Sequence, residues 1–402
     1  MRIAHVIGTL DYRAGGPPAV CRRLAIAQTR LGHEVVIISP RIEGEQLDPA
    51  VGGLSGADRV RRVLVDYPTT VPGRIFSRTF ANAIEREHPD IIHMHGVWEP
   101  LLLRASEGAR HAGIPYVIRP AGMLDVWSMA CSAMKKRIAL VLGFRTMLAE
   151  AGAIHALNEH EARTVQALGF GSPVVQIPNG VFHEEVELAT EPGEFRASVP
   201  GLANHPYALF LSRLHFKKGL DILADAWTNA AKRLPDHHLV VAGPREDDSV
   251  DSFLATIDGA GLSERVHLVG SVHGRRKSAA FREAACFVLP SRQEGFSVAI
   301  TEALSLGVPA VVTDECHFPE VAEARAGRVT ALDARDFADA MVELLQDEGE
   351  RLAAGEAGAR LVRERFTWPA IADQTIQLYN SLRQKEGQST FHSFIPQEAK
   401  TP

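Results

Sequence analysis

Residues 286–313 constrain the fold of this chain more than any other stretch. CFVLP (286–290) and AVVT (310–313) are short apolar runs that read as buried strands, the first ended by Pro290. Between them lie the marks of one short helix. Ser297 stands at a capping position, Gly307 where a left-handed residue closes the last turn, and Pro309 prevents continuation. The unit is therefore β-loop-α-β, and it sets two carboxylates, Glu294 and Glu302, eight residues apart around the loop-to-helix junction. Backbone N–H groups of Gly295, Phe296 and Ser297 lie at the helix start, where orphan donors and the positive end of the macrodipole favour an anion such as a diphosphate. Glu302 lies about one and a half turns into the helix at roughly 1.5 Å rise per residue, so the two acids meet different parts of one extended ligand. That arrangement suits a nucleotide sugar, with one acid on sugar hydroxyls and the other on ribose. The plainer alternative is a surface helix whose acids only cap and solvate it.

At 402 residues the chain exceeds what one core usually organises, and two domains of roughly 150–200 residues are expected. A net charge of −6 leaves no global basic field for a nucleic-acid partner. Cys21, Cys131, Cys286 and Cys316 lack CxxC or zinc-ligand spacing, which fits a reducing cytoplasm. The opening MRIAHVIGTL is too soon interrupted for a secretory signal, and no apolar run approaches the roughly 18 residues of a membrane span. An integral membrane protein is not expected.

RIAHVIG (2–8), a helical pattern through Leu31 ended by Gly32, and EVVIISP (34–40) form a βαβ opening. Gly15 and Gly16 let the backbone approach a ligand at the carboxyl end of the first strand, where open α/β sheets bind. There is no GxGxxG after that strand, no acid at the end of the second, and no GxxxxGK[ST] loop, which argues against a dinucleotide oxidoreductase and a P-loop enzyme. PDIIHMHGVWEP (89–100) is a strand with His93 and His95 on one side. The pair invites a metal, but no third ligand stands out; the expectation is a buried, hydrogen-bonded His93 and a cleft-facing His95 that binds substrate hydroxyls. YVIRPAGMLDVW (116–127) adds a further strand and loop. Over 128–152, Lys135, Lys136, Arg137 and Arg145 recur at roughly helical spacing, a basic face that is either simply solvated or laid on anionic lipid. In 153–170 a strand enters a helix that Asn158 can cap, with Glu161 at the capping-box position.

The stretch 183–206 is acidic, holds prolines and glycines without sustained periodicity, and reads as a linker. After the strand YALFLSRL (207–214), Arg213 and Lys218 straddle a tight loop before a helix beginning near Gly219. Arginine as a planar fork and lysine as a point charge can neutralise a diphosphate there, with Lys217 adjacent. Further strand and helix patterns run through 368, and the polar 384–402 tail is expected to fray.

The 286–313 unit with its acids at 294 and 302 closely resembles the EX7E signature of family 4 retaining glycosyltransferases (glycosyl transferases group 1), and the likeness extends over about residues 1–383. The resemblance implies the GT-B fold, an α/β architecture of two Rossmann-like domains with parallel sheets facing across a cleft. It assigns 1–182 to the acceptor side, 183–206 to the linker, 207–367 to the donor side and 368–383 to a helix crossing back to the first domain. It also implies roles. Glu294, with His95, would orient the donor sugar, and Glu302 would hold the ribose. Arg213 and Lys218 would grip the diphosphate as the sugar leaves, Gly15 and Gly16 would face donor phosphates and acceptor, and main-chain groups near Val272 and His273 would contact the base. Where many relatives carry a histidine just before glycine in the 116–127 segment, this chain has Ala121, leaving Arg119 or His95 to take its part. The implied activity is transfer of a hexose-type unit from a UDP-, GDP- or ADP-sugar to a hydroxyl of a glycan, lipid-linked or small-molecule acceptor in surface polysaccharide or glycoconjugate assembly. No cofactor or metal is implied, and the location would be cytoplasmic with any membrane contact peripheral. Two other readings share the pocket: a sensor that binds nucleotide sugar without turnover, which Ala121 favours, and a nucleotide-sugar epimerase.

Overall fold

The computed structural model describes residues 1–384; of the tail expected to fray, 385–402 lies outside the described residues. Strands β1 (Arg2–Val6), β2 (Glu34–Pro40), β3 (Arg61–Val65), β4 (Ile91–His95), β5 (Tyr116–Arg119), β6 (Ala153–Ala156) and β7 (Val174–Gln176) form one sheet in the order β3-β2-β1-β4-β5-β6-β7. Strands β8 (Tyr207–Leu211), β9 (His238–Ala242), β10 (Val266–Gly270), β11 (Cys286–Leu289), β12 (Ala310–Thr313) and β13 (Gly327–Thr330) form a second in the order β10-β9-β8-β11-β12-β13. Every pairing is parallel. Each sheet is doubly wound, and its strand order reverses once: between β1 and β4 in the first, between β8 and β11 in the second. Ligands of such sheets bind outside the carboxyl ends at that reversal.

Every residue of β4, β5, β9, β11 and β12 is buried, because helices cover both sheet faces; such strands read as largely apolar runs, broken in β4 by His93 and His95 and closed in β5 by Arg119. β3 and β13 carry no comparable signal and were not expected. They are edge strands, the first opening on Arg61 and Arg62, and half of their surface stays open. The basic segment 128–152 is not one helix. It breaks into Ala133–Ala139, a wider turn Leu140–Phe144 and Arg145–Ala149, because Ser132 and Gly143 take positive φ of 55° and 112°.

The stretch read as a linker carries two short helices, His183–Val186 and Glu194–Ala197, and buries Val186, Phe195, Val199 and Leu202 in the second core. The last helix, Trp368–Gln384, packs against the first domain. Its Ile376, Tyr379 and Leu382 share a cluster with Ile3, Ile7, Val35 and Ile37. Full burial of such side chains stabilises by about 1.5–3 kcal/mol each. Among the described residues no helix is long and apolar enough to cross a membrane.

Candidate active site at the two strand-order reversals

In the second domain the loops after β8 and β11 are stitched together. Gly219, at φ 69°, lets them touch: a Cβ there would stand 1.9 Å from the carbonyl oxygen of Pro290. The Arg292 N–H donates to the Lys217 carbonyl at 2.8 Å across the same junction. Lys218 Nζ consequently donates to Glu294 Oε1 at 2.5 Å, and the same oxygen accepts from Ser291 Oγ at 2.7 Å. Only 13% and 7% of the Lys218 and Glu294 side chains are exposed, so each desolvated charge depends on the other. Ser291 lies three residues before Glu294, and nothing in the sequence had singled it out. Ser297 occupies the N-cap position of the helix Val298–Ser305 in extended conformation, but its hydroxyl makes no capping bond. Phe296 turns its ring onto Phe318 and Phe366, at 5.5 Å and 6.2 Å between centroids, so 295–297 present main chain rather than a large side chain. Glu302 accepts from Lys277 Nζ at 2.7 Å. Lys277 belongs to the helix Gly274–Arg282, which starts directly after the buried Val272 and the exposed His273.

Arg213 does not join this group. Its side chain is 64% exposed, and Nη1 donates to both oxygens of Glu246 at 3.0 Å and 2.9 Å. Lys217 reaches the other domain, with Nζ 3.1 Å from the ring centroid of Trp127. Other contacts join the halves: Asn158 Nδ2 donates to the Gly295 carbonyl at 2.7 Å, Gln293 Nε2 to Asp125 at 3.4 Å, and the rings of His160 and His317 stack 3.8 Å apart. Loop 121–125 and the start of the helix Glu159–Ala167 therefore face the loop that carries Glu294. Asn158 caps that helix as expected, accepting the Glu161 N–H at 2.8 Å. Glu161 does not close the capping box on the Asn158 N–H but reaches past it. Its carboxylate accepts from the N–H groups of Leu157 (2.7 Å) and Gly122 (2.6 Å), fixing the loop in which Ala121 takes φ 52°.

Gly15 and Gly16 open onto empty space, with no atom within 4 Å of a Cβ built on either, and they begin the helix Gly16–Arg30. Pro17 and Pro18 in its first turn have no N–H, so this helix start offers an anion fewer donors than its glycines had implied.

The cleft-facing position expected of His95 is corrected by the structure. His95 is 2% exposed and belongs to a buried cluster with His5, His93 and His155. The ring tautomers follow from the fixed ends of the hydrogen-bond chain. His155 Nε2–H donates to the Ile177 carbonyl at 2.7 Å, so its Nδ1 accepts from His93 Nε2–H at 3.3 Å, and His93 Nδ1 accepts from the Tyr379 hydroxyl at 2.6 Å. At the other end the Thr375 hydroxyl donates to Ala372, which orients Gln28 Nε2 to donate to Thr375 (3.0 Å) and Tyr379 (3.1 Å). Gln28 Oε1 then accepts from His5 Nε2–H at 2.7 Å, and His5 Nδ1 accepts from His95 Nε2–H at 2.9 Å. One tautomer set satisfies all these bonds and leaves His95 Nδ1 as a buried acceptor without a partner among the described residues. Burial holds all four rings neutral, with Arg119 also lowering their pKa values; His5 falls to about 4 and His155 to about 3. His5 is the third ligand that sequence spacing had not offered, since nitrogens of His5, His93 and His95 lie within 4.8 Å of one another. A cation there would have to break the bonds just described. Arg119, 2% exposed, donates to Asn179 Oδ1 at 2.5 Å, and burial lowers its pKa to about 10.

Sequence profiles match both halves: one described as Glycosyl transferases group 1 over residues 205–347, another as Glycosyl transferase 4-like domain over 15–180. The phosphatidyl-myo-inositol mannosyltransferase of Mycobacterium leprae is 31% identical over 229 residues, 55% of this chain and little more than half, 57%, of that enzyme. The enzyme of the same name from Mycolicibacterium smegmatis is 25% identical over 95% of this chain and 94% of its own. Among solved structures, Anabaena HepE in complex with UDP and glucose superposes with a TM-score of 0.73 at 19% identity, over 95% of this chain and 100% of that one. The fold is GT-B. The chain belongs to the group 1, family 4-type glycosyltransferases.

Proposed function

We propose that this protein transfers a sugar from a nucleoside diphosphate sugar to a hydroxyl of a glycan or lipid-linked acceptor, with retention of anomeric configuration and without a metal. The observation that carries the reading is the Lys218–Glu294–Ser291 constellation at the reversal between β8 and β11, facing loop 121–125 across the domain boundary. With no donor bound, Lys218 neutralises Glu294. An incoming diphosphate takes Lys218 and the N–H groups of 295–297, and Glu294 is released to accept from sugar hydroxyls. Charge that grows on the leaving phosphate then meets a fixed cation, which lowers the barrier without a metal. Arg213 joins by leaving Glu246, a surface pair worth about 0–1 kcal/mol. The departing phosphate accepts the acceptor's proton on the face from which the sugar leaves, so configuration is kept.

The named relatives act on a phosphatidyl-inositol, which supports a lipid acceptor. Trp127, Met134, Ile138, Val141 and Leu142 are exposed beside Lys135 and Arg137, and no acidic residue falls between Asp125 and Glu150. An apolar and basic surface of this kind suits anionic lipid, and Trp127, under Lys217, sets it at the domain boundary.

The test is incubation with GDP-mannose, UDP-glucose and ADP-glucose in the presence of EDTA, following nucleoside diphosphate release and the anomeric configuration of product. Release with retention supports transfer. Binding without turnover indicates a sensor, interconversion of the free donor an epimerase, and inversion or loss of turnover on chelation overturns the mechanism.

A further inference from the structure

Glu99 follows β4 and holds the N-cap position of the helix Pro100–His111, yet its carboxylate makes no capping bond. It turns across to the exit of β1 instead, where a Cβ built on Gly8 would stand 1.7 Å from Oε2 and 2.5 Å from Cδ. Only glycine at position 8 leaves room for the carboxylate. β1 and β4 are the strands between which the first sheet reverses, so Glu99 lies over the carboxyl ends where such sheets take ligands. Its neighbour Trp98 donates from Nε1 to the Met123 carbonyl at 3.0 Å, and the same loop meets the second domain through Asp125 and Gln293.

Other enclosed carboxylates have close donors, save Asp125, whose Oδ2 has only Gln293 at 3.4 Å and whose Oδ1 has none among the described residues. Glu294 has Lys218 and Ser291, Glu161 has Gly122 and Leu157, Glu302 has Lys277, and Glu45 has Arg62 and the Leu10 N–H. Among the described residues no such donor reaches Glu99. It is half-buried, burial raises its pKa, and Arg74 opposes that shift only at longer range. A carboxylate partly withdrawn from water without protein donors costs the fold some stability, and an ionised one can only accept hydrogen bonds.

We infer that Glu99 takes its missing donors from the acceptor, binding two adjacent hydroxyls of a neutral polyol or sugar ring. The assignment rests on the proposed transfer reaction and adds the chemical class recognised at its acceptor end. A phosphate on the same acceptor is repelled by Glu99 and has to lie elsewhere.

The experiment uses the full chain saturated with UDP or GDP, and measures by saturation-transfer NMR and titration the binding of myo-inositol, methyl α-glucoside and methyl α-mannoside. At least one probe is expected to bind the native protein, and Glu99→Gln to weaken it by about tenfold or more while nucleotide affinity changes by less than about twofold. Gly8→Ala, which displaces the same carboxylate, should give the same selective loss; the nearly isosteric Glu99→Gln decides if that variant does not fold. Equal probe affinity in Glu99→Gln, or no probe bound by a native protein that does bind nucleotide, overturns the assignment. Failure to bind either nucleotide removes the transfer reading itself, and the assignment with it.

Discussion

Acidification should unfold the first domain through its histidines. An unfolded histidine titrates near 6.5, whereas His5 and His155 are held at about 4 and about 3 by burial. A depressed folded pKa means that the stabilisation is complete above the unfolded value and is lost as pH falls from 6.5 toward the folded one. Between pH 7 and pH 5 each of the two costs about 2 kcal/mol, about 4 kcal/mol together, out of a typical total of roughly 5–15. His93 and His95 act in the same direction. The assay is urea unfolding at closely spaced pH values, followed by the fluorescence of Trp98 in the first domain. His155→Gln should lower stability at pH 7 yet flatten the slope below 6.5 by about 1.4 kcal/mol per pH unit. A free energy of unfolding constant to within about 1 kcal/mol from pH 7 to 5, or a slope unchanged in His155→Gln, would refute the reasoning.

Glu294→Gln should reduce kcat with a nucleotide-sugar donor by about 100- to 1000-fold, the scale of removing one preorganised group from a transition state, with circular dichroism unchanged; near-native turnover rejects the placement of the donor sugar. Gly219→Ala drives a methyl into the Pro290 carbonyl at a left-handed position and should cost about 2 kcal/mol or more in urea unfolding, separating Lys218 from Glu294 and lowering kcat as well. Sedimentation with vesicles containing phosphatidylserine should capture the native protein more than Trp127→Ala, and salt should release both; equal capture by neutral vesicles counts against an anionic surface.

Much of the architecture was legible because buried central strands are largely apolar runs, and Gly219, Gly307 and Pro309 punctuate what lies between them. The edge strands β3 and β13 escaped because a half-exposed strand needs no such run. Lys218 and Glu294 were readable as strand-end residues, but their mutual bond was not, since it depends on two loops meeting through Gly219. The pairing of Arg213 with Glu246 likewise joins neighbouring loops and leaves no local trace. For His95, spacing placed it on one side with His93 but could not say what covered that side. The answer lay in His5, which β1–β4 pairing sets opposite His93, and in Tyr379 far along the chain. Pro17 and Pro18 did carry a readable signal, the loss of two amide donors beside Gly15 and Gly16.

Tyr379 and its helix also dictate an order of events during synthesis. The strand beginning at Arg2 leaves the ribosome long before the residues that cover one of its faces, Ile376, Tyr379 and Leu382. Until then the nascent first domain displays an uncovered apolar surface and histidines lacking the Tyr379 hydroxyl, while the second domain can complete its own core. A message truncated before codon 368 should therefore yield a chain that chaperones retain, even though the thirteen strands of the described residues are encoded.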